Sequence, residues 1–460
     1  YKRSNKMKKI KVLSLFLCMA FCTVFFTACG NNLTAPTGTG NMVEHGEVLV
    51  YDDYIYFGGM YISNADMENG DNRNADLEGL WRIKLEDGKI SYDEDGNPQN
   101  LEKVVGKIVG TENAFMYSVG DEIVFASPNV KLTQQSQTAF DRTTYFKMSN
   151  VGTGLTELYT TEAAVQSQAL LIIDNVPYII VYDGTNIVKI NVNTKASKVL
   201  ATDVTSAAFA SSYSSAFDGD VYFTVNLSEE DTSIGLTGNI LKKVNIVSEE
   251  ETQVRQQYGE TITVNTVKNG YLYYTRTDNG NTFYFANNFT SSFEASEVQL
   301  TSAITSDITS FTPLGLDQEG NVLPIVFEYQ SRLVYSNFGS LVVNEILNED
   351  VTVLFESGDY IYYSTSSGIY RVSYKDKVSQ QISDLANFQT NVTFDGRYIY
   401  FYAQNEDNTT GNYYMYRADV NAAENGTGIK TELLSKLHED DIPDEDEETS
   451  DTSTDSSTSN

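Results

Sequence analysis

Residues 357–363 are Ser-Gly-Asp-Tyr-Ile-Tyr-Tyr, a tight-turn signal followed at once by an aromatic strand. The glycine supplies the positive φ that a tight hairpin requires, and the bulky residues after it favour an extended chain. A second strand is predicted at 369–372, Ile-Tyr-Arg-Val, and a more polar third at 379–382, Ser-Gln-Gln-Ile. A short apolar run, Val-Leu-Phe at 353–355, precedes the turn. Together these segments predict one four-stranded antiparallel unit.

The same turn-and-strand phrase recurs along the chain. Its copies lie at residues 52–57, 120–125, 174–180, 218–223, 269–274, 319–325, 357–363 and 395–401. In six copies the following strand carries a central basic residue, namely Arg82, Lys147, Lys189, Lys242, Arg371 and Arg417. Side chains alternate along a strand, so this basic residue should lie on the face opposite to its apolar neighbours.

Four strands in a fixed order, repeated at roughly forty to sixty residues, are typical of propeller blades. The chain is also rich in strand-forming aromatics, with 31 Tyr and 23 Phe. We therefore predict an all-β fold, a β-propeller of about eight, alternatively seven, four-stranded blades over residues 47–436. A stacked open array or tandem β-sandwiches would satisfy the strand count as well. The uniform order of the phrases favours the ring, since closure protects the strand edges.

The turn followed by Tyr-Ile-Tyr-Tyr, and then by Ile-Tyr-Arg-Val, resembles the propeller repeats of bacterial surface proteins of unknown function. Those repeats are similar to the propeller domains of the low-density-lipoprotein receptor family. The resemblance covers residues 47–436 and implies the fold alone. The Tyr-Trp-Thr-Asp signature of the animal receptors is absent, so their ligands are not expected here.

The N-terminus carries an export signal. Basic residues precede an apolar or small-residue run at 12–26, whose length fits a signal peptide better than a membrane span. Residues 26–29, Phe-Thr-Ala-Cys, then resemble the lipobox of bacterial lipoproteins. That resemblance implies a signal peptide at 1–28, cleavage before Cys29 and a lipid on the Cys29 thiol. An ordinary signal peptide or an anchor helix is the alternative.

Residues 29–46 contain Thr, Pro and Gly and predict a flexible lipidated tether. The protein is expected outside the cytoplasm, anchored to the outer face of the cell membrane. A composition rich in Lys, Asn and Tyr suggests a Gram-positive host. At the other end, residues 437–460 are mostly Asp, Glu, Ser and Thr, which predicts a disordered acidic tail.

The chain is strongly acidic, with 31 basic and 63 acidic residues and a formal net charge of −32. Binding to phosphate backbones requires clustered Lys and Arg, so nucleic acid is not an expected partner. The only histidines, His45 and His438, lie near opposite ends, and cleavage would leave Cys29 as the only cysteine. These counts argue against Ser-His-Asp and Cys-His triads and against zinc sites built from His and Cys.

Carboxylate chemistry and calcium are the remaining site hypotheses. Acidic residues are abundant, but no spacing marks a catalytic carboxylate pair. Residues 71–76 and 93–97 group several oxygen ligands, yet a hairpin turn explains 93–97 better than a structural calcium ion. We therefore assign no catalytic, cofactor or metal residue and expect no cofactor beyond that calcium.

Paired tyrosines at a spacing of two could form sugar-binding platforms, although core packing explains them better. They are Tyr54, Tyr56, Tyr271, Tyr273, Tyr360, Tyr362, Tyr398 and Tyr400. The polar loops at 60–77, 132–142 and 405–411 are better places to expect a ligand. The favoured hypothesis is a surface lipoprotein, not an enzyme, whose propeller binds an envelope protein or a glycan. The alternatives are a carboxylate-based glycan hydrolase and a docking subunit of an envelope assembly machine.

Overall fold

The computed structural model of the protein contains eight four-stranded sheets in a ring, which makes it a β-propeller with eight blades rather than seven. It describes residues 48–63, 76–94, 96–128, 142–211, 216–301, 308–316, 320–405, 408–422 and 428–442. The predicted signal peptide, Cys29, the tether and residues 443–460 lie outside these ranges. Within the ranges, no helix has both the length and the apolar character needed to cross a membrane.

The first four blades follow one another along the chain. Blade 1 contains β1 (Val48–Tyr51), β2 (Tyr54–Gly58), β4 (Leu80–Lys84) and β5 (Leu101–Val105), with β3 (Met60–Tyr61) between β2 and β4. Blade 2 contains β6 (Met116–Val119), β7 (Glu122–Pro128), β8 (Thr143–Ser149) and β9 (Thr156–Thr160). Blade 3 contains β10 (Ser167–Ile173), β11 (Val176–Tyr182), β12 (Ile187–Asn191) and β13 (Ser197–Ala201). Blade 4 contains β14 (Val204–Ala208), β15 (Asp220–Asn226), β16 (Gly238–Asn245) and β17 (Glu251–Tyr258).

The last four blades continue in the same order. Blade 5 contains β18 (Thr261–Lys268), β19 (Tyr271–Asp278), β20 (Asn281–Asn287) and β21 (Glu297–Gln299). Blade 6 contains β22 (Ile308–Pro313), β23 (Ile325–Tyr329), β24 (Leu333–Ser336) and β25 (Val343–Leu347). Blade 7 contains β26 (Thr352–Ser357), β27 (Tyr360–Thr365), β28 (Gly368–Ser373) and β29 (Ser379–Ser383). Blade 8 contains β30 (Phe388–Phe394), β31 (Tyr398–Ala403), β32 (Tyr413–Asp419) and β33 (Thr431–Leu433).

Helices are short and occur only in connections within the described ranges. They are α1 (Glu229–Ser233), α2 (Phe293–Ser296) and the 3-10 turns Ala216–Gly219 and Glu439–Asp441. Serine side chains cap the first two, since Ser228 accepts from the Asp231 amide and Ser292 from the Ala295 amide.

Antiparallel order gives the ring two distinct faces. The turns between first and second strands and the hairpins between third and fourth strands share one end, which we call the lower face. The loops between second and third strands and the connections between blades share the other end, the upper face. The first strand of each blade lines the central channel, and the fourth lies at the outer rim.

Hydrophobic side chains fill all eight junctions between neighbouring blades. For example, Ile55 and Phe57 of blade 1 pack with Tyr402 and Met415 of blade 8, which closes the ring. Core packing, the favoured interpretation of the paired tyrosines, holds for most of them: Tyr54, Tyr56, Tyr273, Tyr362 and Tyr400 are at most 4% exposed.

Blade 8 closes the ring with strands from both ends of the chain. Its third strand, β32, pairs with β33, and it also pairs with β3, which follows the second strand of blade 1. The β3 pairing joins Met60 to Tyr414 and Tyr61 to Tyr413. Segments more than 300 residues apart therefore share one sheet.

Two sequence-based boundaries differ from the structure. In blade 6 the predicted strand at 322–325 is instead part of a connection, with Val322 bridged to Leu316, and β23 starts only at Ile325. At the C-terminus, residues 437–442 pack on the ring, although composition places them in the tail. Leu437 and Asp441 are 5% and 0% exposed. Hydrogen bonds from a distant loop satisfy the buried Asp441 carboxylate, which composition alone cannot reveal.

Candidate functional site

Three segments that do not belong to the four-strand repeat meet at the outer rim between blades 8 and 1. They are residues 76–79, the long hairpin at 85–100 between β4 and β5, and the C-terminal segment 434–442. Together with the outer strands of blade 1 they enclose a groove of about 730 Å³, which we call the seam groove. A groove of this size suits a small organic ligand or a short oligomer.

The seam groove contains Trp81, the one tryptophan of the chain. This residue lies in β4, where alternation places it on the sheet face that packs against blade 8, while its neighbours Leu80 and Arg82 are buried on the other face. Its indole Nε1 donates to the Leu77 carbonyl oxygen at 2.9 Å, and the Lys103 ammonium lies 5.5 Å from the ring centroid. Trp81 is therefore a half-buried aromatic group with a fixed orientation.

Gly59 makes room for the indole. A Cβ atom at this position would lie 2.5 Å from Trp81 Nε1 and 2.0 Å from the Leu77 carbonyl oxygen. No larger residue fits without displacing the ring, so the backbone at Gly59 helps to set its position.

The C-terminal segment is fixed to the upper face through Asp441. Its carboxylate accepts hydrogen bonds from the Thr409 amide (2.8 Å), the Thr410 amide and hydroxyl, and the Tyr414 hydroxyl (2.6 Å). Burial alone would raise the pKa of Asp441, but these hydrogen bonds outweigh it and hold the pKa below its ordinary value. Burial raises the pKa of Tyr414 to about 12, so its hydroxyl stays a donor to Asp441.

The long hairpin of blade 1 holds the other side of the same segment. Asn97 Oδ1 accepts from the Leu437 amide at 3.1 Å, and the Tyr92 hydroxyl donates to the Leu433 carbonyl oxygen at 3.0 Å. Burial, assisted by the nearby Glu432, raises the pKa of Tyr92 well above its ordinary value and keeps this donor protonated. Both walls of the groove are thus tied to each other.

Residues 93–97, weighed above as a calcium site, form a hairpin turn. Asp93 Oδ1 accepts from the Asn97 amide at 2.8 Å, Gly96 has a φ of 77°, and Tyr92 is bridged to Pro98. In the described part of the chain, no group of three or more His, Cys, Asp or Glu side chains is arranged to hold a metal ion. Asp76 is described, whereas residues 71–75 are not.

The polar lining of the seam groove is mixed and mainly acidic. Its charged or titratable lining residues are Asp76, Asp93, Glu439, Lys436 and His438. His438 also caps the short turn Glu439–Asp441, since its Nδ1 accepts from the Asp440 amide at 3.1 Å. Chemically, the groove offers one aromatic surface, apolar walls and several hydrogen-bonding groups, an arrangement suited to binding.

A second, smaller cavity of about 270 Å³ opens at the upper end of the central channel. Its wall includes Glu112, Leu354 and residues 390–392. The inner strands of blades 7 and 8 bulge here, which widens the channel locally.

That a ligand binds the three polar loops chosen from the sequence stays a prediction. Of loop 60–77, Leu77 lines the seam groove, and of loop 405–411, Asn405, Thr409 and Thr410 donate hydrogen bonds to Asp441. The third, 132–142, lies outside the described residues apart from Arg142, as do Cys29 and His45. Sequence analysis did not select Trp81 as a candidate binding residue. That it is the one tryptophan of the chain, within a repeated strand motif, could have indicated it.

Comparisons with known proteins found solved structures that resemble this chain at low sequence identity. No family model matches the sequence, and no curated protein matches it. Dipeptidyl peptidase 4 of Porphyromonas gingivalis is 9% identical, with a TM-score of 0.48 over 88% of this chain and 60% of its own. Oligogalacturonate lyase of Vibrio parahaemolyticus is 13% identical, with a TM-score of 0.43 over 65% of this chain and 87% of its own.

TolB of Acinetobacter baumannii is also similar, at 10% identity and a TM-score of 0.31 over 52% of this chain. The chain spans 58% of the length of TolB and 60% of that of the peptidase. On its own topology, the chain is a β-propeller protein.

Proposed function

We propose that the protein is a lipid-anchored binding protein of the cell envelope, and that the seam groove is where its propeller holds a protein or glycan ligand. One observation carries this proposal. The segments that depart from the blade repeat converge on one groove and fix the single tryptophan in its wall.

The position of the groove supports a binding role. Blade strands are explained by packing, but residues 76–79, 93–98 and 436–442 are not needed to complete any four-stranded sheet. Segments added to a rigid scaffold are where binding residues concentrate. Trp81 offers a large contact area at low entropic cost, because its ring is already fixed.

Charge narrows the ligand class. Three carboxylates line the groove against one lysine, within a chain of net charge −32. Nucleic acids and other polyanions are repelled, whereas neutral glycans and basic or neutral peptides are accepted. The lipobox-like residues 26–29 support anchoring of the propeller at the outer face of the cell membrane, where such ligands occur.

The experiment is a binding comparison with the mature chain, extracted in detergent, as bait. Solubilised envelope proteins and soluble envelope glycans are offered separately. We expect one fraction to be retained, and Trp81→Ser to weaken retention about tenfold or more, as for a central contact residue. Tyr258→Ser is the matched control, because Tyr258 is an aromatic residue 46% exposed on blade 4.

Two results would contradict this function. If the bait retains neither the protein nor the glycan fraction, the binding role is wrong. If Trp81→Ser and Tyr258→Ser weaken retention equally, the ligand does not bind in the seam groove. Release of new reducing ends from the glycan fraction would instead favour the carboxylate-based hydrolase.

A further inference from the structure

Both ends of the described ring lie on the upper face. Val48 begins β1 and pairs with Phe57, the residue next to the end of β2. At the other end, Ile442 follows Asp441, which is bonded to Thr409 and Thr410 of an upper loop. Any tether before Val48 therefore leaves from the upper face, and it leaves at the channel rim, since β1 is an innermost strand.

Geometry restricts how an anchored ring can turn. For the lower face to meet the membrane, a tether that passes around the ring must cross a blade of four strands spaced about 4.8 Å apart and then descend strands of about 23 Å, roughly 40 Å in all. The eighteen residues 30–47 separate Cys29 from Val48. A random coil of that length spans about 23 Å on average and about 60 Å at full extension. Along this path the inverted orientation thus stretches the tether to about two thirds of its full extension, well beyond its average span.

The lower face exposes apolar side chains at several blades. Hairpins between third and fourth strands expose large apolar side chains in five blades, namely Leu155, Val247, Leu341, Val342, Val378 and Ile429. Val342 and Val378 belong to neighbouring blades and are 65% and 67% exposed. The Lys377 ammonium donates to the Glu345 carbonyl oxygen at 2.6 Å, which joins the hairpin of blade 7 to β25 of blade 6.

Closer to the channel, the turns of the lower face expose carboxylates. Asp53, Asp121, Asp174 and Asp395 all lie in turns between first and second strands, and all are exposed. An outer set of aliphatic side chains around an inner set of aspartates fits a partner with both apolar and basic groups. Apolar side chains at this density favour a protein over a glycan, because they gain from burial against other apolar side chains.

We propose that the anchored ring is held with its upper face towards the membrane, and that its lower face is the surface that binds a protein bearing basic and apolar side chains. This inference rests on the proposed lipid anchor, not on the ligand of the seam groove.

Orientation is tested with the full lipidated chain reconstituted in vesicles. Ser233→Cys on the upper face and Ser248→Cys on the lower face of blade 4 replace exposed serines and accept one dye each. Energy transfer to a rhodamine-labelled lipid should be clearly stronger from position 233 than from 248. Equal transfer, or the reverse order, overturns the proposed orientation. A wild-type chain that does not associate with vesicles, like a Cys29→Ala variant, would instead refute the anchor itself.

The partner is tested by crosslinking on intact cells. Val342→Asp with Val378→Asp alters the lower face, and Ile234→Asp with Leu236→Asp makes a matched change to exposed residues of an upper loop. We expect the lower-face variant to lose a crosslinked protein of basic isoelectric point that both wild type and the upper-face variant retain. No such protein, or equal loss in both variants, contradicts the assignment of the lower face.

Discussion

Buried arginines occupy the same position in three blades, and two of them, Arg371 and Arg417, contact the next blade. Arg417 is 1% exposed, lies 4.3 Å over the Tyr398 ring, and donates to Glu432 at 2.7 Å and to the Gly88 carbonyl oxygen of blade 1 at 3.2 Å. Arg82 likewise lies over Tyr54 and donates to Glu102. The basic residue that marks the repeat in the sequence is thus a structural element of the blade.

Removing Arg417 should be costly because its partner stays behind. Arg417→Ala leaves the Glu432 carboxylate, 13% exposed, without its main counter-ion and should lower the free energy of unfolding by about 3 kcal/mol. Lys430 also contacts Glu432 but is 51% exposed, so Lys430→Ala should cost less than about 1 kcal/mol. Urea denaturation measures both. If both variants lose similarly little unfolding free energy, the buried Arg417–Glu432 pair does not stabilise blade 8.

The Asp441 carboxylate should make the attachment of the C-terminal segment sensitive to acid. Its folded pKa is lowered, so the ionised carboxylate stabilises the fold above about pH 4, and this stability is lost as pH falls through the lower folded value. Trp81 fluorescence, recorded from pH 7 to pH 3, should show a transition as the C-terminal segment detaches. In Asp441→Asn the segment should already be weakened at pH 7 and the transition reduced. An unchanged acid transition in that variant would contradict this role.

At the scale of elements, the second strands of the blades could be predicted from the sequence, but the bulges of the outer strands could not. Turn residues predicted the second strand of nearly every blade, because tight turns require specific residues. The outer strands bulge in six blades at an apolar residue, for example Val104, Leu158 and Ile382, which turns that residue into the blade junction. Composition could not predict β3, since a two-residue strand has no periodicity.

The bulge residues should matter more than their exposed neighbours. Ile382 is 2% exposed at the junction of blades 7 and 8, so Ile382→Ala should cost about 2–4 kcal/mol through the cavity it leaves. Val378 lies four residues earlier, in the hairpin before β29, and is 67% exposed. Val378→Ala should lower the free energy of unfolding by less than about 0.5 kcal/mol. Thermal or urea unfolding compares the two. Equal costs would show that the bulge does not seat its residue in the core.

At the scale of the molecule, the ring depends on contacts between the two ends of the chain. A ring of about eight blades could be inferred from the repeat, because each copy must bury its faces against the next. The seam groove could not, because it depends on contacts such as Asn97 with Leu437, 340 residues apart. Acidic composition also hid the ordered residues 437–442.

Truncation should expose this dependence. A chain ending at Leu433 loses the contacts of Leu437 and Asp441, so amide exchange should accelerate in blades 1 and 8 and remain unchanged in blades 3 and 4. A chain ending at Ile442 keeps these contacts and should exchange like the full chain. Uniform acceleration around the ring would contradict a local role for the segment.

The most direct test of the central claim, that the seam groove binds the ligand, is Trp81 fluorescence during titration with the soluble envelope fraction that the chain retains. The chain has one tryptophan, so the signal that remains after the emission of the added fraction is subtracted reports on the groove. We predict a saturable shift in emission whose midpoint matches the affinity measured by retention. Saturable binding with no change in Trp81 emission would place the ligand elsewhere on the ring and contradict the claim.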